Sequence, residues 1–388
     1  MKKDDLNNIS ESIKNVFSLT LVITRSCNLN CAYCYEYNKD EGKMDINIAK
    51  QVVEKYLTTG EYEEININLF GGEPFMEFEF IKELCEWTWS RKWPKKYLFF
   101  ADTNGTLITN EVKEWTTKNK KLICASLSLD GTRETHNMNR SNSFDMIDLD
   151  FFLKNWPEQP IKMTITDKNL SNLANDFIFI HQKGFRIGGS NFAEGIIIKD
   201  FERNLAIISD QFLKLIDYYL THTNIELAQL FRFHLFLCEN QKVDREKRCG
   251  VGGKGMIVVD INGDTYPCPY LSSLQMSKKQ LEEIKKIDFQ NQDLFFNEEC
   301  YNNCYIYPIC HGCYGDNYTI TGNFAKRSYQ KCEIQKLKAL ALANYHARKI
   351  LQNKEQTTIS QSEIQTINAI QKINLLFGSN INGVVINP

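Results

Sequence analysis

The chain has 388 residues, 43% hydrophobic and 24% charged, with a formal net charge of −2 at pH 7. That length suits a barrel-sized domain plus a smaller one, and the balanced charge, with no long acidic or basic block, argues against nucleic acid or an anionic membrane surface as partner. No apolar run approaches the roughly 20 residues that span a bilayer, and the polar start, 1–15, holds no signal-peptide core, so a cytoplasmic location is expected. Thirteen cysteines then call for metal or cluster ligation rather than disulfides.

In chain order, candidate strands are Ser18 to Thr24, Ile65 to Phe70, Tyr97 to Asp102, Leu122 to Leu129, Ile161 to Thr166 and Gly195 to Ile198. They alternate with amphipathic stretches such as Ile46 to Thr58, Glu77 to Ser90 and Asn110 to Lys118. Six such units predict an α/β fold, a partial (β/α)6 TIM-like barrel with its chemistry at the C-terminal strand ends.

Directly after the first strand stand Cys27, Cys31 and Cys34, spaced C-x3-C-x2-C. Three cysteines within eight residues converge only if the backbone wraps a common point. A cubane cluster held by three thiolates has one iron left open to another ligand. Structural zinc prefers four closed ligands and paired C-x2-C or C-x2-H, and is the alternative here. Later strand ends carry Gly71-Gly72-Glu73-Pro74, then Thr103-Asn104-Gly105-Thr106, then Ser128-Leu-Asp130-Gly131, followed by His136 and Arg140. Polar groups at successive strand ends converge on one ligand, although Gly-Gly-Glu-Pro alone is more often a turn. Ser128 can equally satisfy a backbone group, and Arg140 a surface ion pair.

Residues 200 to about 247 read as helices, with Ile207 to Tyr219 amphipathic and Leu227 to Cys238 strongly apolar. Met256 to Asp260 and Asp264 to Cys268 flank Asn262-Gly263, a strong hairpin signal. Seven cysteines follow from position 249: Cys249, Cys268, Cys300, Cys304, Cys310, Cys313 and Cys332. Four of them within fourteen residues could close a tetrahedral site, so zinc is a stronger alternative here. Cys85, Cys124 and Cys238 lie alone in apolar surroundings and read as ordinary buried thiols. The tail offers a helix from Glu333 to Gln352, a polar linker from Gln356 to Ser362, a second helix from Ile364 to Leu376 and a Gly- and Asn-rich end.

With Tyr33 before its third cysteine, the first motif resembles that of the radical S-adenosylmethionine (SAM) enzymes. The resemblance implies that Cys27, Cys31 and Cys34 hold a [4Fe-4S] cluster whose open iron chelates SAM's methionine moiety, and that reductive cleavage of SAM gives a 5'-deoxyadenosyl radical. It implies that Gly71, Gly72, Glu73 and Pro74 serve the methionine amino group. Asn104, Ser128, Asp130 and Arg140 would surround SAM, with Ser128 and Arg140 on ribose or carboxylate and Ile197 of the last strand against adenine. The later cysteines resemble the SPASM extension of peptide- and protein-modifying members, which carries two auxiliary [4Fe-4S] clusters. By that resemblance Cys300, Cys304, Cys310 and Cys332 form the distal set, and Cys249, Cys268 and Cys313 the proximal one. The domains implied are residues 1–235, 236–335 and a helical tail, 336–388.

Three departures matter. The clustered spacing is C-x3-C-x5-C-x2-C, where the extension usually has C-x2-C-x5-C-x3-C. Gly255 stands where anaerobic sulfatase maturases have a further cysteine, leaving the proximal cluster an open iron. Pro269 stands where they have an aspartate proposed as base, and proline takes no proton. The expected function is therefore maturation of a ribosomally made peptide by thioether or carbon-carbon cross-linking. Formylglycine formation in a sulfatase is the alternative, and a non-catalytic iron-sulfur or zinc scaffold the alternative of another class. Partners implied are a peptide or protein substrate, a flavodoxin- or ferredoxin-type electron donor and, with no room before residue 17 for a leader-binding domain, a separate leader-recognition protein.

Overall fold

The computed structural model describes residues 16–195, 197–239, 247–252, 255–352 and 360–378. The expectations for the polar start, for most of the polar linker and for the Gly- and Asn-rich end lie outside the described residues. In chain order the elements are β1 (Val16–Thr24), α1 (Ile46–Thr58), β2 (Glu64–Gly71), α2 (Phe78–Trp89), β3 (Lys96–Thr103), α3 (Asn110–Lys118), β4 (Ile123–Leu127), α4 (Arg133–Asn139), α5 (Leu149–Asn155), β5 (Ile161–Ile165), α6 (Leu173–Gln182), β6 (Ile187–Phe192) and α7 (Phe201–Thr221). Then come β7 (Met256–Val259), β8 (Thr265–Tyr266), α8 (Lys278–Ile284), α9 (Glu298–Asn303), α10 (Tyr314–Thr321), α11 (Tyr329–Gln352) and α12 (Gln361–Phe377). No helix among the described residues is long and apolar enough to cross a membrane.

The chain divides into two compact units, the first comprising residues 1–128, 140–159 and 247–291. Its sheet runs β4-β3-β2-β1-β7-β8. All neighbours are parallel except β7 and β8, which form the hairpin expected around Asn262-Gly263. β1 is central and buried along almost its whole length, which is why its sequence is a continuous apolar run rather than an alternating one. β2 alternates instead: Ile65, Ile67 and Leu69 are buried while Asn66, Asn68 and Phe70 are half-buried on the other face. The hairpin's place was not foreseen. β7 lies parallel to β1 with Leu19 opposite Ile257, joining strands more than two hundred residues apart.

The second unit comprises residues 129–139, 160–246 and 292–388. Here β5 and β6 form their own parallel ladder. The sixth strand expected at Gly195 to Ile198 lies earlier, at Ile187–Phe192. Gly188 and Gly189 broke the apolar pattern that sequence reading follows, yet a Cβ on Gly188 would meet Cβ of Pro160 at 2.4 Å. The glycine permits close packing. The helix expected over Leu227 to Cys238 is instead two short 3-10 turns, Gln229–Phe231 and Leu235–Glu239. α7 and α11 carry the core of this unit with Phe177, Phe212, Tyr219 and Phe231, the rings of Phe212 and Phe231 meeting edge-on at 5.2 Å.

Candidate functional site

The segment that follows β1 carries Cys27, Cys31 and Cys34, all half-buried. Short polar contacts hold it. Asn28 donates to Thr106 Oγ1 (2.8 Å) and accepts from Asn104 Nδ2 (2.9 Å), the Asn30 N–H donates to Ser141 Oγ (3.0 Å), and the Cys34 N–H closes back on the Cys31 carbonyl (3.1 Å). Beside it, the Gly72 and Glu73 N–H groups donate to the Thr24 and Ser26 carbonyls at 3.2 and 2.9 Å. A Cβ on Gly71 would lie 1.9 Å from the Thr24 carbonyl oxygen, and one on Gly72 2.1 Å from that of Ser26. Only glycine admits this approach of one strand end to the next.

Glu73 is buried. Its Oε1 accepts from Thr103 Oγ1 (2.8 Å) and the Phe75 N–H (3.1 Å), and its Oε2 from the Asn104 N–H (2.7 Å). Burial outweighs these three donors and pushes the carboxyl up to about 7. Pro74 begins the 3-10 turn that Glu73 caps. Arg140, also buried, sets its guanidinium carbon 5.3 Å from the ring centroid of Tyr33, between the second and third cysteines. Lys39 adds a cation near Cys27 and Cys34, opposing the burial that pushes the Cys27 thiol up.

The segment after the cysteines reaches the hairpin's end. Asn38 donates through Nδ2 to the Ser273 and Met276 carbonyls (2.9 and 3.1 Å), and the Tyr35 and Tyr270 rings lie 5.6 Å apart. Cys268 is buried and pushed up to about 12 by that burial, with Cys249 nearby. Pro269 opens a 3-10 turn, its carbonyl accepting from Ser272 Oγ at 2.6 Å. Ser128 is half-buried, its backbone N–H donating to the Thr103 carbonyl (2.9 Å).

In the second unit Asp130 is buried and accepts the Thr164 N–H at 3.0 Å, pinning β5. Ile197 is exposed. With Ile165, Phe192, Ile198, Gln330 and Lys331 it borders a cavity of about 300 Å³. Cys300 on α9, Cys304 just after it, Cys310 after a 3-10 turn and Cys332 on α11 lie close enough to feel one another's charge. Cys313 caps α10, its sulfur accepting the Asp316 N–H at 3.4 Å. The structure thus brings together Cys249 with Cys268 in the first unit and the four distal thiols in the second, to which Cys313 also belongs. Cys85, Cys124 and Cys238 are buried.

Among the described residues no three Cys, His, Asp or Glu side chains converge as the ligands of one ion would. A cubane offers its irons at separate corners, so its thiolates need not converge on one ion. A soft, all-thiol donor set fits an iron-sulfur cluster. Sequence reading passed over Asn28 and Lys39, since an amide and a lysine on a polar loop carry no signal of their own.

Residues 18–148 match the family described as a 4Fe-4S single cluster domain. The chain is 24% identical to the cysteine-type anaerobic sulfatase-maturating enzyme of Clostridium perfringens strain 13 over 319 residues, covering 74% of this chain and 85% of that protein. To the radical SAM cyclopropyl synthase TigE of Paramaledivibacter caminithermalis it is 23% identical over 371 residues, 87% of this chain and 75% of that one. Among solved structures it is similar in fold to native anSMEcpe with bound AdoMet, alone and with the Kp18Cys peptide. The TM-scores are 0.66 and 0.63 at 21% identity, over 87% of this chain and 98% of that one.

Proposed function

We propose that the chain is a radical SAM enzyme of SPASM type, a peptide maturase that installs a thioether or carbon-carbon cross-link. One observation supports the reading: the three-cysteine segment after β1 is fastened to the ends of β2 and β3 through Glu73 and Asn28, which draws three strand ends together. Cys27, Cys31 and Cys34 would hold a [4Fe-4S] cluster, which when bound would supply the electron for reductive cleavage of SAM to methionine and a 5'-deoxyadenosyl radical. The protein's own residues do the rest. Gly71 and Gly72 let the backbone come near SAM's methionine end, Glu73 answers its amino group, and Tyr33, Asn104, Ser128, Asp130, Arg140 and Ile197 shape the remaining contacts. Excluding water from that site keeps the radical for one C–H bond of the substrate.

The SPASM resemblance assigns Cys300, Cys304, Cys310 and Cys332 to one auxiliary cluster, and Cys249, Cys268 and Cys313 to the other. A proximal set of three would leave an iron to hold a substrate cysteine, lowering its thiol pKa. The peptide bound in the anSMEcpe structure supports a peptide substrate. A flavodoxin- or ferredoxin-type donor and a separate leader-recognition protein complete the reading.

Formylglycine formation is the second reading, favoured by the sulfatase-maturating relatives. Against it stands Pro269, which offers no base beside Cys268. Incubation with SAM, reductant and a sulfatase-motif peptide should return the peptide unchanged, and Pro269→Asp should not improve the native reaction. An aldehyde product would establish the second reading instead.

A further inference from the structure

We propose that Arg327 sets the reduction potential of the second unit's cluster by hydrogen bonding to its ligand Cys310. The inference rests on the assignment of Cys300, Cys304, Cys310 and Cys332 to a cluster. Arg327 precedes α11, and its Nη1 donates to Cys310 Sγ at 2.9 Å while Nη2 donates to the His311 carbonyl. One planar fork thereby grips two successive residues of the thiol loop, a geometry that lysine cannot reproduce.

The next residue is shaped to receive it. A Cβ on Gly312 would lie 2.5 Å from Arg327 Nη2, 2.6 Å from Nε and 2.9 Å from Cζ. The guanidinium fills the space that any other side chain at 312 would need. So Cys310-His-Gly-Cys313 carries its glycine to admit an arginine from outside the motif, seventeen residues beyond Cys310.

Reduction adds one negative charge to a cluster. A donated N–H···S bond and a fixed positive charge both stabilise the reduced form more than the oxidised one, which raises the potential. Arg327 is thus a tuning residue that acts through a ligand sulfur. Without it the cluster would take up an electron less readily.

The test uses the full chain, reconstituted anaerobically, as wild type, Arg327→Gln, Arg327→Lys and Gly312→Ala. Iron and zinc content are measured first, then EPR-monitored potentiometric titrations with dithionite as reductant. One titration wave should move to lower potential in Arg327→Gln and less far in Arg327→Lys and Gly312→Ala, with the other waves unmoved. An Arg327→Gln protein with full iron and every wave at its wild-type potential overturns the proposal. If that variant loads less iron, Arg327→Lys decides: a downward shift supports the proposal and an unmoved wave overturns it. Zinc at these thiols in the wild type would overturn the cluster assignment itself, and the inference with it, before any variant is compared.

Discussion

Glu73, two residues beyond β2, accepts the backbone N–H of Asn104, one residue beyond β3, at 2.7 Å. The same carboxyl, buried and pushed up to about 7, is the group assigned to SAM's amino end. Below that value it is protonated and neutral, and above it is ionised, and the ionised form is the stronger acceptor for the N–H groups of SAM's amino end. SAM affinity of the anaerobically reconstituted protein should therefore rise with pH and level off above about 7, losing up to about tenfold per pH unit below. Glu73→Gln should bind more weakly and lose this component. Calorimetric titration from pH 6 to 8 checks it, and a wild-type profile identical in shape to that of Glu73→Gln would count against the assignment.

Gly72 faces the Ser26 carbonyl so closely that Gly72→Ala forces the two strand ends apart. The strain should cost about 1–3 kcal/mol of stability. It should also weaken SAM binding, because Ser26 directly precedes Cys27. Gly189→Ala, where the φ is again not left-handed and a Cβ meets only the Lys162 side chain at 3.6 Å, is the control for adding a methyl group without a backbone clash. Chemical unfolding of the two variants, compared with wild type, should show the larger loss at Gly72.

Three thiol sets predict about twelve irons and little zinc in each reconstituted chain. Stoichiometric zinc with only four irons would place a closed tetrahedral site at Cys300, Cys304, Cys310 and Cys332. Metal analysis of the Cys300→Ala and Cys304→Ala double variant should show about four irons fewer.

Much of this was legible in the sequence because it is local. β1 to β4 announced themselves as apolar runs ending in polar residues, and Cys27, Cys31 and Cys34 sit on one short segment. β6 was not legible, since Gly188 and Gly189 meet a packing need set by Pro160 and not by their neighbours. The parallel pairing of β7 with β1 was hidden for the same reason: a strand's own pattern does not name its partner. Arg327 was hidden too, an arginine in a polar stretch whose partner, the sulfur of Cys310, is distant in the chain. What sequence could not show of Glu73 is its threefold hydrogen bonding, which makes it a brace between strand ends as well as a candidate ligand contact.

On the proposed reading, the segment after β1 holds a cluster that cleaves SAM. The most direct measurement is 5'-deoxyadenosine released from SAM and dithionite by the reconstituted wild type and by the Cys27→Ala, Cys31→Ala, Cys34→Ala triple variant, with iron counted in both. Product is expected from the wild type and none from the triple variant, which should also hold about four irons fewer. Undiminished cleavage by the triple variant would contradict it.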